Sequence, residues 1–138
     1  LEDLVLCSSK DKLNAFSASN VALAASGTVT LELVLARVPT VVAYKVHFLT
    51  ALIGRFLVQR DAIVLPNKIL EKPMLPFFIQ GNCNSDALFN AVVDKVNNIM
   101  VLEELQLAND EIRERVRAPG GASSACAART ILNLLSSK

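Results

Sequence analysis

The chain has 138 residues, enough for one domain or a large piece of one, and 52% of them are hydrophobic. That content excludes a disordered chain, and 14 basic against 13 acidic residues give a net charge of +1 with no basic stripe to hold a nucleic acid. The three cysteines, Cys7, Cys83 and Cys126, are widely spaced, and His47 is the single histidine, so no clustered ligands for a structural zinc are present. Three reduced thiols in a cytosolic protein are expected. No signal peptide is read at the start, and a first residue of Leu1 rather than Met fits a piece of a longer protein. Apolar runs are interrupted by Glu32, Arg37, Lys45 and Arg55, short of the roughly 18 residues a spanning helix needs.

In chain order, residues 4–7 are a short apolar run and residues 8–19 read as a polar helix. A second apolar run, 21–25, ends in Ser26-Gly27-Thr28. Residues 30–38 then place Leu31, Val34, Leu35 and Val38 on one side of a helix that Pro39 stops. Residues 40–44 are rich in β-branched residues and read as a buried strand. Residues 46–59 read as a helix, and 62–65 as a further strand closed by Pro66-Asn67. With Pro73 and Pro76, residues 70–80 read as a loop containing a short helix. Ser85 is a plausible N-cap for a helix over 86–99. Further helices are expected over 102–116 and 125–135, separated by a loop around Pro119-Gly120-Gly121. Ala125, Ala127 and Ala128 suggest close packing of the last one.

Strands alternating with helices imply βαβ units and a parallel sheet, and continuous apolar strands fit a sheet covered on both faces. The fold class is therefore α/β: a Rossmann-like parallel sheet flanked by helices, with residues 1–67 as a βα core and 68–138 mainly helical. Ligands of such sheets bind outside the carboxyl ends of the strands. That rule directs attention to Ser26–Thr28, Tyr44–Lys45 and Asn67.

The segment Ala24-Ala25-Ser26-Gly27-Thr28-Val29-Thr30-Leu31-Glu32 carries the most chemistry. A strand ends, a glycine turn follows and a helix begins. Amides at a helix start are unpaired and carry positive partial charge, and a residue without Cβ lets a ligand approach the backbone closely. With the hydroxyls of Ser26 and Thr28, the turn is a competent phosphate cradle. Glu32, one turn further, could accept hydrogen bonds from two ribose hydroxyls. A plain βα turn with no ligand is the alternative.

Over 46–60, Phe48, Leu49, Leu52, Ile53 and Phe56 form an apolar stripe flanked by Lys45, Arg55 and Arg60. An ordinary packed helix accounts for it. A functional reading takes Phe48, Leu52, Arg55 and Phe56 as contacts to a membrane surface or to acyl chains. His47 beside the stripe reads as a surface residue. Glu103, Glu104, Asp110, Glu111 and Glu114 read as a solvated face rather than catalytic carboxylates.

Taken together, Ala22 to Glu32, then Val38-Pro39-Thr40-Val41-Val42-Ala43-Tyr44-Lys45, then Leu65-Pro66-Asn67, resemble the lipid-A-disaccharide synthase family. Its members carry an A-S-G-T-x-x-L-E segment, a P-x-V-V-x-Y-[RK] strand and an L-P-N turn in this order. Met74-Leu75-Pro76, Gln80 and the Ala-rich last helix are similar too. The chain departs from the family at Glu71-Lys72-Pro73 and at Pro76-Phe77.

The resemblance implies the second domain of a GT-B glycosyltransferase, holding part of the nucleotide-sugar site. It implies transfer of 2,3-diacylglucosamine from UDP-diacylglucosamine to acylated glucosamine 1-phosphate, forming a β-1,6 disaccharide and releasing UDP. Ser26, Gly27 and Thr28 would face the diphosphate and Glu32 the ribose. Tyr44 and Lys45 would line the cleft, and Asn67 would lie near the nucleotide sugar. No cofactor or metal, and no catalytic residue, is assigned to this chain. The general base would stand in an amino-terminal domain absent from it, and the enzyme would sit peripherally on the inner face of the cytoplasmic membrane. Another GT-B enzyme using UDP-N-acetylglucosamine, or a non-catalytic Rossmann-like module, are the rival readings.

Overall fold

The computed structural model describes residues 4–45, 64–98, 100–117 and 122–136. Its elements run α1 (Lys12–Ser17), β1 (Ala22–Ala25), α2 (Thr28–Leu35), β2 (Thr40–Tyr44), α3 (Leu65–Leu70), β3 (Phe77–Ile79), a 3₁₀ turn (Gln80–Asn82), α4 (Ser85–Asn97), α5 (Met100–Arg115) and α6 (Ser123–Ser136).

The three strands form one sheet in the order β1-β2-β3. Both pairings are parallel, with Ala25 opposite Ala43 and Tyr44 opposite Ile79. The α/β reading of the sequence is thus borne out: a parallel sheet with helices flanking it and helices filling the carboxy-terminal part. Val41 and Val42 are adjacent, so they point to opposite faces, and both are fully buried. Both faces of β2 are therefore covered. On β1 the cover is one-sided: Leu23, in register with Val41, stays 56% exposed.

One core cluster joins Val34 of α2, Val42 of β2, Val64, Leu70 of α3 and Leu75 to Val101, Leu105, Ala108 and Ile112 of α5. The spacing of those four α5 residues is helical, which is why one face of an otherwise charged helix is buried. A second cluster unites Ala24, Leu33 and Val38, with Phe16 of α1 packed against it. Helix α4 also packs against β2.

Several boundaries differ from those read in the sequence. Helix α2 starts at Thr28, two residues earlier than expected, and ends at Leu35. Val38 lies beyond it, where the amide of Val38 bonds to the Leu33 carbonyl and that of Arg37 to Val34, a closure that places Arg37 at φ 59°. Leu65-Pro66-Asn67 is not a strand end and turn but the first turn of α3, because a proline at a helix start sacrifices no hydrogen bond. Residues 62 and 63 lie outside the described residues.

Strand β3 falls where a loop with a short helix was expected. Its three residues are too few to show a period, and Pro73 and Pro76 masked them. Asn84, not Ser85, caps α4, accepting from the Ala87 amide. Residues 4–7 form no regular element and are exposed. Ala125, Ala127 and Ala128 are exposed rather than closely packed, and so are Ile131, Leu132, Leu134 and Leu135 on the same helix.

Candidate functional site

The carboxyl ends of the three strands stand level, because the register pairs Ala25 with Ala43 and Tyr44 with Ile79. Three segments leave that edge: Ser26-Gly27-Thr28 after β1, Lys45 after β2 and Gln80-Gly81-Asn82 after β3. Ser26, Gly27 and Tyr44 are half-buried, while Thr28 and Lys45 are exposed. Among the described residues, no further layer roofs the turn, and Thr28 is exposed.

Gly27 holds φ 140° and ψ −165°, a conformation open only to glycine. It leads straight into α2 without a side-chain cap, and no acidic residue stands in the first turn. The amides of Thr28 and Val29 come before the first bond of the helix, which runs from Thr30 N to Gly27 O at 3.2 Å. The Thr30 hydroxyl donates to the same carbonyl at 2.7 Å. Thr30 is fully buried, so this second bond locks the turn against the helix from below. In the sequence Thr30 reads only as the start of a helix, and its place three residues after the glycine is the signal for this bond.

Glu32 lies one turn further along α2. Its Oε2 is 2.6 Å from Lys12 Nζ of α1. That oxygen is enclosed and makes no aligned hydrogen bond, so the contact is one of charge. The carboxylate therefore faces α1, and Lys12 is a partner that no motif announced. Sequence distance hid it, because α1 comes beside α2 through tertiary packing, with Phe16 set against the Ala24, Leu33 and Val38 cluster.

Asn67 is held differently. Its Nδ2 donates to the Leu75 carbonyl at 3.1 Å, and its Oδ1 accepts from the Leu75 amide at 2.9 Å. Leu75 lies two residues before β3, at the amino end of that strand. The amide clamps this segment to α3 as a strand partner would, and the structure does not bring Asn67 to the Ser26–Thr28 turn. Phe48, Leu52, Arg55 and Phe56, with His47, lie outside the described residues.

The acidic residues of α5 do form a surface. Glu103, Glu104, Asp110 and Glu114 are exposed. Glu111 alone is bound, to Lys72 at 3.0 Å and to Arg115 at 2.8 Å. The hydrogen bond from Lys72, more than the charge of Arg115, holds its carboxyl below the ordinary value of 4.5. Arg115 also donates to the Ile69 carbonyl at 2.7 Å, closing the end of α3.

The family model described as Lipid-A-disaccharide synthetase matches residues 2–131. Among curated proteins, a lipid-A-disaccharide synthase of Rhodospirillum centenum is 37% identical over 138 residues, covering 98% of this chain and 34% of its own. One of Gluconobacter oxydans is 32% identical over 125 residues, covering 91% and 30%. A probable mitochondrial lipid-A-disaccharide synthase of Arabidopsis thaliana is 42% identical over 104 residues, covering 75% and 20%. The chain thus spans between 20% and 34% of the length of these relatives.

Proposed function

Since this chain belongs to the lipid-A-disaccharide synthetase family, we propose that it forms part of the donor site of a glycosyltransferase. The reaction moves a 2,3-diacylglucosamine unit from UDP to 2,3-diacylglucosamine 1-phosphate. The new bond is a β-1,6 linkage, and UDP departs. The observation that carries this reading is the open glycine turn at the carboxyl edge, leading into a helix with no side-chain cap.

The mechanism follows from the charge that develops. As the bond to the anomeric carbon breaks, negative charge gathers on the departing diphosphate. Amides at the start of α2 and the hydroxyls of Ser26 and Thr28 would meet that charge without reorganising, which is the form of electrostatic help that lowers barriers most. Attack by the acceptor hydroxyl from the opposite side inverts the anomeric centre. The base that takes its proton belongs to an amino-terminal domain, the first partner this reading requires. Glu32 would receive the ribose hydroxyls, and Tyr44 and Lys45 would line the cleft.

The second partner is the inner face of the cytoplasmic membrane, from which acylated substrates must be drawn. No helix among the described residues is long and apolar enough to cross a membrane, which suits a peripheral attachment. Phe48, Leu52, Arg55 and Phe56 would provide it.

Titration calorimetry of the full-length protein with UDP tests the reading. Binding that Gly27→Ala weakens at least tenfold is expected, as is turnover of acylated but not of free UDP-glucosamine. Heat-silent UDP titration, with the protein folded, would return the turn to a purely structural role. Turnover of UDP-N-acetylglucosamine instead would move the chain's parent enzyme to another donor.

A further inference from the structure

Among the described residues β1 ends the sheet, so its outer edge has no strand beside it. An edge of that kind is a template for a further strand. The same chain holds an apolar segment without cover. Val5 and Leu6 are 80% and 87% exposed, more than any other large hydrophobic described, and Leu4 and Cys7 are exposed with them. A continuous apolar run is the pattern of a strand buried on both faces.

The residues between the two say where the run belongs. After Cys7 the Asp11 amide bonds back to the Ser8 carbonyl at 3.0 Å, and the Ser8 hydroxyl donates to Asp11 Oδ2 at 2.7 Å. This turn leads directly into α1. Residues 8–21 thus form a helical crossover of about a dozen residues or more, the length that parallel neighbours require. Phe16 of α1 packs against the cluster of Ala24 and Leu33, and no described residue of α1 joins the cluster around Val42. Ala24 and Val42 are in register and so lie on one face of the sheet. Helices α1 and α2 therefore share that face, with α1 toward the outer side of β1. Such crossovers are right-handed. On this face α2 carries the chain from β1 to β2, so α1 must bring it to β1 from the opposite side.

From these observations we propose that residues 4–7 are a fourth strand, paired parallel to the outer edge of β1 in the full-length protein. The occupant of the edge is a segment of this chain rather than a second copy, because the crossover that delivers it is already built. The added strand has an apolar face and an outer edge of its own. This chain spans 20% to 34% of the length of its relatives, which leaves ample chain in the full-length protein to cover both. Docking of the strand also anchors the start of α1, and with it Lys12 beside Glu32.

Amide hydrogen exchange of the full-length protein, with maleimide labelling of Cys7, tests the pairing. Peptides over residues 4–7 and 22–25 should both exchange roughly a hundredfold or more slowly than in the urea-unfolded protein, and Cys7 should label only on unfolding. Val5→Pro removes a ladder amide and does not fit within a paired strand, so it should speed exchange in both peptides about tenfold or more and open Cys7 to maleimide. Exchange over residues 4–7 at the unfolded rate in the folded parent would overturn the proposal, whether or not the variant folds. So would a variant that loses protection over 4–7 and keeps it over 22–25, since the strand would then lie elsewhere. Protection of 4–7 that fades as the protein is diluted would give the edge to a second copy and overturn it too.

Discussion

Asn109 on α5 donates from Nδ2 to the Leu35 carbonyl at 2.7 Å, across 74 positions of sequence. The same nitrogen reaches the Val34 carbonyl at 3.3 Å, and Oδ1 accepts from Arg113 Nε at 2.6 Å. Asn109 is 1% exposed. One buried amide thus closes the carboxyl end of α2, the helix whose other end opens on the candidate phosphate turn. The helix is fixed at one end, and its other end opens on the glycine turn.

Replacing Asn109 should therefore be expensive. Asn109→Leu takes the side-chain donor from the half-buried Leu35 carbonyl, one of two donors from the Val34 carbonyl, which keeps the Arg37 amide, and the acceptor from Arg113, at a cost of about 1–3 kcal/mol. Asn109→Asp keeps the shape but loses the Nδ2 donors, and should recover little. Urea unfolding of the full-length protein measures both. A change under about 0.5 kcal/mol for Asn109→Leu would show that water replaces the bonds.

Gly27 offers a cleaner separation of backbone from packing. A Cβ added there would meet nothing within 4 Å, yet φ is 140°. Any destabilisation by Gly27→Ala thus comes from the backbone alone, about 1–3 kcal/mol. Thermal melting should record it. Wild-type stability in that variant would mean the turn relaxes to another conformation.

The Lys12–Glu32 pair predicts opposite results for its two members. Both side chains are partly exposed, at 43% and 37%, so the ion pair contributes at most about 1 kcal/mol to stability. Lys12→Met should leave the melting temperature almost unchanged and UDP affinity at or above the parent's, since it frees the carboxylate. Glu32→Ala should weaken UDP roughly tenfold. Equal losses in the two variants would assign the pair to structure rather than to the ribose.

Glu111 sets an acid-sensitive contact. Its carboxyl titrates below 4.5 in the folded chain because Lys72, and then Arg115, favour the charged form. A depressed folded value contributes stability that is present above the unfolded value and lost as pH falls through the folded one. Glu111→Gln should therefore flatten the pH dependence of melting below about pH 4.5 and leave it unaltered near neutrality. An unchanged acid limb would show that other carboxylates govern it.

Local pattern made part of this molecule legible. The run at 40–44, rich in β-branched residues, reads as a buried strand and is one. The glycine turn between an apolar run and a helical stripe could only be a βα junction, and the two lie where they were expected. The acidic stretch of α5 was readable as a surface for the same reason, since its charges fall on the face that its apolar period leaves out.

What the sequence could not carry are the relationships made by packing. Three residues of β3 become a strand only because β2 presents a free edge, with Val42 N bonded to Pro76 O at 2.9 Å. Asn67 looked like a turn residue at a strand end. It is a clamp on Leu75, because its neighbours Pro66 and Leu70 are drawn into the core and turn the segment helical. Lys12 meets Glu32, and Asn109 meets Leu35, only once α1 and α5 have docked on α2. Periodicity and turn chemistry act over a few residues, so one chain suffices to read them. Hydrogen bonds and ion pairs between distant segments depend on the burial of the cores that bring those segments together, and that is settled by the whole fold.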